Sequence, residues 1–427
     1  MSDPTQLQDW RAQYLNGLNS WSETTSQVQQ TFRQIITTGW DRARYVARLN
    51  PLDPAQMVVC PPTSLLNMAP NQQHRGDYAT GIFEGSSAEP TVDGNGKITG
   101  VNVVLQEPRL KRFRRSMQAR NFDLPVPLEQ FGQAILDITA LHGLDVVTAD
   151  DGSATRAYIR PAAGPGVGKW GVAHSAGHRV EASTIIFRWG HYLPDVDRVY
   201  SGSGARCAIT GVQRMFAVRG KHASNYGNAA FDGNVAHQLH YDELVYLAPY
   251  GIRDGEVVYG LSDFDDLIRD GVLADGPGEE IFGILSDGET LVYPPMRVNR
   301  LGGTVLQYLI DHLAPALGLK TLEADITLAD LRAGKVVGLA YAGNAARVAP
   351  IGQLDIVKPG VDGTGEVVET VVQFGIHPAI AAIRDQWENE LRGRKPASHA
   401  SLLTPVDLEW GREFRSMLDS FWQKFGF

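Results

Sequence analysis

The sequence predicts a two-domain α/β protein, and three observations carry that expectation. The chain has 427 residues, which at about 150 residues per domain makes roughly three domain-sized units, or two larger ones with extensions. Hydrophobic residues make up 43% and charged residues 20%, enough apolar surface for a real core and far from the composition of a disordered chain. Short β-like runs alternate with helix-period segments in two stretches, on either side of a segment rich in Gly, Ser, Asp and Pro, as two α/β units require.

Residues 1–55 are polar with interspersed aromatics. Trp10, Tyr14, Leu18 and Trp21 follow one another at spacings of four, four and three, which places them on one face of a helix. A second helical stretch runs from Val28 to about Val46. Together these are expected to form a helical N-terminal extension that packs on the body or on a partner subunit. A small α/β domain is expected over 56–190. Its elements are a strand over 100–105 behind the Asn95-Gly96 hairpin signal, a helix over 128–141, and strands over 156–161 and 183–189. The segment 191–208, with His191-Tyr192-Leu193-Pro194 and Ser201-Gly202-Ser203-Gly204, is expected to be an interdomain linker.

A larger α/β domain is expected over 209–395. It has a helix over 231–241, strands over 243–247 and 281–285, a helix over 304–317, a strand over 336–342 and a last helix over 378–392. The acidic stretch at about 251–270 interrupts this rhythm and is expected to be an inserted loop. Residues 396–427 form a C-terminal helical extension with Phe414, Leu418, Phe421 and Trp422 on its apolar face. No internal repeat or low-complexity tract is present.

Charge and cysteine content narrow the function classes. Lys and Arg number 39 against 48 Asp and Glu, a net charge of −9, which is the wrong sign for neutralising a nucleic-acid backbone or an anionic membrane. Two cysteines, Cys60 and Cys207, support neither a disulfide framework nor a four-thiolate metal site. No apolar run reaches the length of a membrane span, and the sequence MSDPTQLQDW has no secretory character. A cytoplasmic protein is expected, with no nucleic-acid or membrane partner and no metal. Gly164-Pro165-Gly166-Val167-Gly168-Lys169-Trp170 is not a phosphate loop, because Trp170 stands where the magnesium-binding hydroxyl belongs. His174 and His178 are four apart but lack the glutamate of a zinc-protease helix, and no Gly-x-Ser-x-Gly elbow occurs.

One constellation carries chemistry. Gly220-Lys221-His222-Ala223-Ser224-Asn225-Tyr226 sets a lysine among small residues, with a phenol five positions on and a helix following. A lysine in a polar turn is most often a solvated cation, and its use as a nucleophile requires a pocket. The order of motifs around it is more specific. Tyr78-Ala79-Thr80-Gly81-Ile82-Phe83-Glu84-Gly85, Leu110-Lys111-Arg112-Phe113-Arg114-Arg115-Ser116, Ala157-Tyr158-Ile159-Arg160-Pro161, the Lys221 segment, Asp275-Gly276-Pro277-Gly278-Glu279-Glu280-Ile281-Phe282, Tyr293-Pro294-Pro295 with Leu301-Gly302-Gly303-Thr304, and Ala342-Gly343-Asn344-Ala345-Ala346 follow in sequence. Over about residues 56–394 this series resembles the class IV, or fold type IV, pyridoxal-phosphate enzymes, most closely the branched-chain aminotransferase group.

The resemblance implies a small and a larger α/β domain with pyridoxal 5'-phosphate at their interface, and a homodimer acting on an amino acid and a 2-oxo acid. It makes Lys221 the residue that holds the cofactor covalently and then serves as general base. Asp275 takes the place of the group that keeps the ring nitrogen protonated, where the family usually has glutamate. Tyr226 matches the donor to the ring oxygen, and Arg112 the side chain that grips the phosphate. The amides of Gly303 and Thr304 at a helix start and Asn344, where the family has threonine, complete the cofactor set. Tyr78, Phe83, Tyr158 and Arg160 match the substrate pocket, and the Ala345 and Ala346 amides the α-carboxylate site. Each has a plain alternative: a turn aspartate for Asp275, core aromatics for Phe83 and Tyr158, an ordinary N-cap for Thr304, and a solvated basic face for Arg112, which stands beside Arg109, Lys111, Arg114 and Arg115.

The departures lie on the substrate side. Ser86 follows the Phe-Glu-Gly motif where arginine is usual, the family's Pro-Gly becomes Leu301-Gly302 with Arg300 before it, and Val305 stands where arginine follows threonine. They point to a transaminase of specialised metabolism. The rivals are another reaction on the same cofactor, a lyase of the aminodeoxychorismate type or a D-amino-acid or amine transaminase, and a non-catalytic scaffold.

Overall fold

The computed structural model describes residues 4–19, 45–49, 55–60, 81–165, 180–211, 220–259, 261, 263–359 and 365–423. The chain divides into two compact units. The first comprises 1–190, 220–224 and 391–427, and the second 191–219 and 225–390.

The first unit is built on one antiparallel sheet. Its strands are β1 (Val46–Leu49), β2 (Met57–Cys60), β3 (Ile82–Phe83), β4 (Ser86–Val92), β5 (Ile98–Val104), β6 (Ala157–Pro165) and β7 (Val180–Arg188), with a C-terminal strand at Leu403–Pro405. The order is Leu403–Pro405, β5, β4, β6, β7, β1, β2, and β3 pairs with the far end of β6. β4 and β5 form the expected hairpin, in which the Asp93 side chain accepts from the amides of Asn95 and Lys97 while Gly96 takes φ +80°, a conformation that glycine reaches without a Cβ clash. The last strand enters at the edge because Leu105 N–H donates to Leu402 O at 2.8 Å.

Helices cover this sheet. α1 (Pro4–Asn19), α2 (Gln106–Gln118), α3 (Leu128–His142) and the C-terminal helix Leu408–Gln423 contribute to one core with Phe113, Phe131, Ile135, Ile138, Leu141 and Phe414. α1 and the helix Leu408–Gln423 therefore belong to the body of the first unit. Tyr14 and Leu418 are fully buried there, and burial of one such side chain contributes about 1.5–3 kcal/mol. Asp137 of α3 ties α1 down: Arg11 Nη2 donates to it at 2.8 Å and the Tyr14 hydroxyl at 2.9 Å. Trp21 and residues 28–44 of the second predicted helix lie outside the described residues, and that helix is not continued at its end, since Val46 begins β1.

The second unit has two sheets. Its strands are β8 (Ala205–Ile209), β9 (Glu243–Leu244), β10 (Tyr246–Arg253), β11 (Glu256–Tyr259), β12 (Gly271–Asp275), β13 (Glu280–Leu285), β14 (Thr290–Tyr293), β15 (Lys320–Glu323), β16 (Val336–Gly343), β17 (Arg347–Pro359) and β18 (Gly365–Gln373). A mixed sheet runs β15-β14-β13-β16-β17-β8-β9 with β18 on β17, and a three-stranded antiparallel sheet runs β11-β10-β12. Helices α4 (Val196–Ser201), α5 (Gly227–Gln238) and α6 (Phe264–Asp270) intervene. A helical run, α7, spans Thr304–Tyr308, a π turn at Leu309–Leu313 and Ala314–Ala316, and α8 (Leu328–Arg332) and α9 (Pro378–Leu391) follow.

Two expectations are corrected here. The segment 191–208 is not a linker: it holds α4 and β8, a strand paired on both sides. Its glycines serve close packing, since a Cβ on Gly204 would lie 2.6 Å from the Gly352 nitrogen. The stretch at 251–270 is not an irregular loop either. It forms the β10–β11 hairpin and α6, with two of its acidic residues matched by arginines: Arg253 pairs with Asp266 and Asp270, and Arg269 with Asp270.

Candidate active site

In the first unit, Lys221 is held by backbone on both sides. Its N–H donates to the Ser116 hydroxyl oxygen at 2.9 Å, and its C=O accepts from Phe83 N–H at 3.2 Å. Ala223 N–H donates to Gly81 O at 2.9 Å, so the lysine segment pairs with β3 through an isolated antiparallel bridge between His222 and Ile82. Lys221 is 8% exposed, and its Nζ stands 5.1 Å from the centre of the Phe83 ring. His222 next to it accepts at Nδ1 from Arg120 Nε at 3.1 Å, and Arg120 Nη2 reaches the Ser224 hydroxyl at 2.9 Å. Burial, reinforced by Arg120, lowers the His222 pKa to about 4, which keeps the imidazole neutral and able to accept.

Arg112 does not sit on a solvated face. The periodicity of α2 turns Arg109, Arg112, Phe113, Ser116 and Met117 inward and leaves Lys111, Arg114 and Arg115 outside. Arg112 instead forms a two-pronged pair with the buried Glu84, Nε to Oε2 at 2.9 Å and Nη2 to Oε1 at 2.6 Å. Burial pushes the Glu84 carboxyl up, but Arg112, Lys221 and Arg109 outweigh it and hold the acid below its ordinary value. Arg109, whose Nη1 donates to the Ser86 hydroxyl at 2.8 Å, is lowered to about 10 by burial. Ser86, the residue in place of the family's arginine, thus receives an arginine from α2.

The aromatic residues gather as the motifs imply. The Arg160 guanidinium stacks on Phe83 at 4.5 Å and on Tyr158 at 4.9 Å, and Tyr158 meets Trp189 edge-on at 4.3 Å. Tyr158 is buried while Phe83 and Arg160 are partly open. Tyr78 lies outside the described residues.

In the second unit, Asp275 closes β12 and is buried. Its carboxylate accepts from Gly276 N–H at 3.0 Å and from Leu301 N–H at 3.4 Å. Neighbouring Glu280 accepts from Gly302 N–H at 2.7 Å and pairs with Arg300, so the turn before α7 rests on two carboxylates. Thr304 is not the N-cap: Gly303 holds that position and Thr304 is the first helical residue. A Cβ on Gly303 would come within 2.8 Å of Glu280 Oε2. Asn344, Ala345 and Ala346 form the tight turn from β16 into β17, closed by the pairing of Gly343 with Arg347, and the Tyr200 hydroxyl fixes Ala346 O at 2.7 Å. Tyr226 precedes α5 and is partly exposed. It lies near enough to Tyr192 to raise that phenol's pKa, as does Glu279 more strongly. Tyr192 donates to Glu243 at 2.9 Å, and burial lifts Glu243 to about 7.

The side chains missed in the sequence are the partners: Glu84, Arg120, Glu280 with Arg300, and Tyr192 with Glu243. Glu84 stood inside a quoted motif and Arg300 among the departures, but nothing local indicates which opposite charge each meets.

Two units with these sheets and connections define the fold of the type IV pyridoxal-phosphate enzymes. More particularly, the chain is similar to solved branched-chain aminotransferases. With the enzyme of Thermoproteus uzoniensis bound to norvaline it shares 20% identity over 86% of this chain and 100% of that one, with a TM-score of 0.61. With the enzyme of Escherichia coli the values are 19%, 86%, 99% and 0.62, and with the holo form from Thermobaculum terrenum 17%, 86%, 99% and 0.61. No protein-family model matches this chain, and no curated protein matches it by sequence. At these identities the likeness establishes the fold.

The residues present fit pyridoxal 5'-phosphate. The first unit offers a buried amine beside an aromatic face and a guanidinium, and the second a buried carboxylate and a glycine turn opening a helix. Among the described residues no cluster of metal-ligating side chains occurs.

Proposed function

We propose that this chain is a pyridoxal 5'-phosphate-dependent aminotransferase that moves an amino group between an amino acid and a 2-oxo acid. The observation that carries the proposal is the placement of Lys221, an amine buried among Phe83, Ser116 and Glu84 and held by main-chain bonds on both sides. A lysine spent on solvation needs no such frame, whereas a nucleophilic lysine does. When bound, the cofactor supplies an electron sink for the bond-breaking at the substrate α-carbon. Lys221 Nζ would hold it and would move the α-proton. Asp275, fixed by two amides, holds the ring-nitrogen proton. Tyr226 donates to the ring oxygen, and Arg112 together with the Gly303 and Thr304 amides and Asn344 holds the phosphate.

Phe83, Tyr158 and Arg160 line the substrate side in this reading, and the Ala345 and Ala346 amides receive the α-carboxylate. The Arg160 guanidinium, stacked on two rings, suits a carboxylate or an aromatic group. The replacement of the usual arginine by Ser86 and the altered turn at Arg300 favour a substrate outside leucine, isoleucine and valine, and so a role in specialised metabolism. A soluble cytoplasmic homodimer completes the proposal.

The test is absorbance of the protein with pyridoxal 5'-phosphate, followed by a panel of amino acids. A donor that shifts the cofactor to pyridoxamine 5'-phosphate and releases its 2-oxo acid supports the transaminase. Release of pyruvate with return of the starting spectrum indicates a lyase, and no cofactor binding overturns the enzyme reading.

A further inference from the structure

The turn leading into α7 carries a buried guanidinium whose capacity its protein partners do not exhaust. Arg300 is 5% exposed, and its Nη1 donates to Oε1 and Oε2 of Glu280, 3% exposed, at 3.0 and 3.1 Å. Its Nε–H is buried and meets no hydrogen-bond acceptor among the described residues. Native proteins satisfy nearly all buried donors, and one on a charged group is costly to leave unmade. An orphaned guanidinium N–H at this turn is open to an acceptor supplied from outside the described residues. Glu280 also takes the Gly302 amide at 2.7 Å, so this one carboxylate orients both the arginine and the turn. The guanidinium is further supported by the Tyr293 ring at 5.7 Å. Four residues after Arg300 the helical run through Ala316 begins, with first-turn amides that have no intrahelical acceptor.

We propose that Arg300 is an anion-binding residue for a phosphate monoester, a side chain of the cofactor's phosphate cradle that Glu280 holds in position. This inference rests on the reading under Proposed function, because the phosphate is that of pyridoxal 5'-phosphate. A planar fork can serve two acceptors at once, Glu280 through Nη1 and a phosphate oxygen through Nε, which a lysine's point charge cannot do with the same geometry. The pairing with Glu280 keeps the site's net charge near zero, so the arginine acts by directed hydrogen bonding more than by bulk charge.

The experiment compares the affinities of wild type, Arg300→Gln and Arg300→Lys for pyridoxal 5'-phosphate, for pyridoxal, which lacks the phosphate, and for inorganic phosphate. Arg300→Gln is expected to weaken pyridoxal 5'-phosphate by about tenfold or more, the scale of a lost charged hydrogen bond, while pyridoxal changes less than about twofold; Arg300→Lys should fall between. Because Arg300→Gln leaves Glu280 unpaired in the interior, the double variant Glu280→Gln/Arg300→Gln is measured beside it and should show the same phosphate-selective loss. Equal losses for both vitamers, or no loss, overturn the inference and leave the proposed function standing. A wild type that binds inorganic phosphate through Arg300 but not pyridoxal 5'-phosphate overturns the proposed function, and with it the assignment of Arg300 to the cofactor's phosphate. Binding of neither overturns both.

Discussion

Arg112 and Glu84, 28 positions apart in sequence, form a two-pronged ion pair with both side chains buried. A guanidinium in this arrangement is preorganised, with Nε and Nη2 both engaged and its plane fixed. It also means that any anion Arg112 holds is held in competition with Glu84.

Removing one member of such a pair strands a charge in the interior, at a cost of about 3–5 kcal/mol. Glu84→Gln and Arg112→Leu are each expected to lower unfolding free energy on that scale, with the double change costing less than the two single changes summed. Urea unfolding read by circular dichroism checks this. The folded-state pKa of Glu84 lies below the ordinary 4.5, so the pair's contribution is present above that pH and is lost as pH falls through the lower folded value. Glu84→Gln should show a shallower acid limb.

Glu243 has the opposite sign. Its folded pKa of about 7 stands above the ordinary 4.5, so the folded state favours the protonated acid. Its stabilising effect is full below pH 4.5 and declines as pH rises toward 7, by roughly 3 kcal/mol across the window at about 1.4 kcal/mol per unit. In Glu243→Gln that decline should vanish, as measured by unfolding midpoints at pH 5 and 7.5.

His222 titrates the other way again. With a folded pKa of about 4, below the ordinary 6.5, it contributes stability that is full above pH 6.5 and is lost as pH falls toward 4. Protonation removes the Nδ1 lone pair that accepts from Arg120, so His222→Gln, which keeps a side-chain acceptor, should flatten this window. A pH series of unfolding midpoints on the variant decides it.

Gly303 is expected to tolerate no side chain. Its φ of −69° is open to any residue, so the constraint is space: the added methyl of Gly303→Ala would meet Glu280 at 2.8 Å, an overpacking that costs about 1–3 kcal/mol. Weaker cofactor retention on gel filtration, with a lower melting temperature, is the expected outcome. An unchanged melting temperature would show that Glu280 moves aside freely.

Much of this architecture was legible before any coordinates. The alternation in β5 and the inward positions of α3 followed from periods of two and 3.6, and Phe414 and Leu418 fell on the buried face of their helix. Composition misled where glycine served packing: Gly202, Ser203 and Gly204 resembled a tether, but Gly204 is small because the backbone of Gly352 passes against it. The N-terminal aromatics are expected to pack on the body or a partner, and Tyr14 is buried in the first unit, whereas nothing local shows that Arg11 and Tyr14 meet Asp137, more than a hundred residues away. The site was half legible for the same reason. Order of motifs points to Lys221, Asp275 and the turn at Gly303 as candidates, whereas the pairings Glu84 with Arg112 and Glu280 with Arg300 are long-range choices that only the fold specifies.

The central claim is that Lys221 is the attachment point of pyridoxal 5'-phosphate. The most direct measurement is borohydride reduction of the protein with the cofactor, followed by proteolysis and mass spectrometry of the labelled peptide. The account predicts one phosphopyridoxyl group per chain, on Lys221, and no specific label in Lys221→Ala. A label spread over surface lysines, or a single label elsewhere that survives Lys221→Ala, would contradict it.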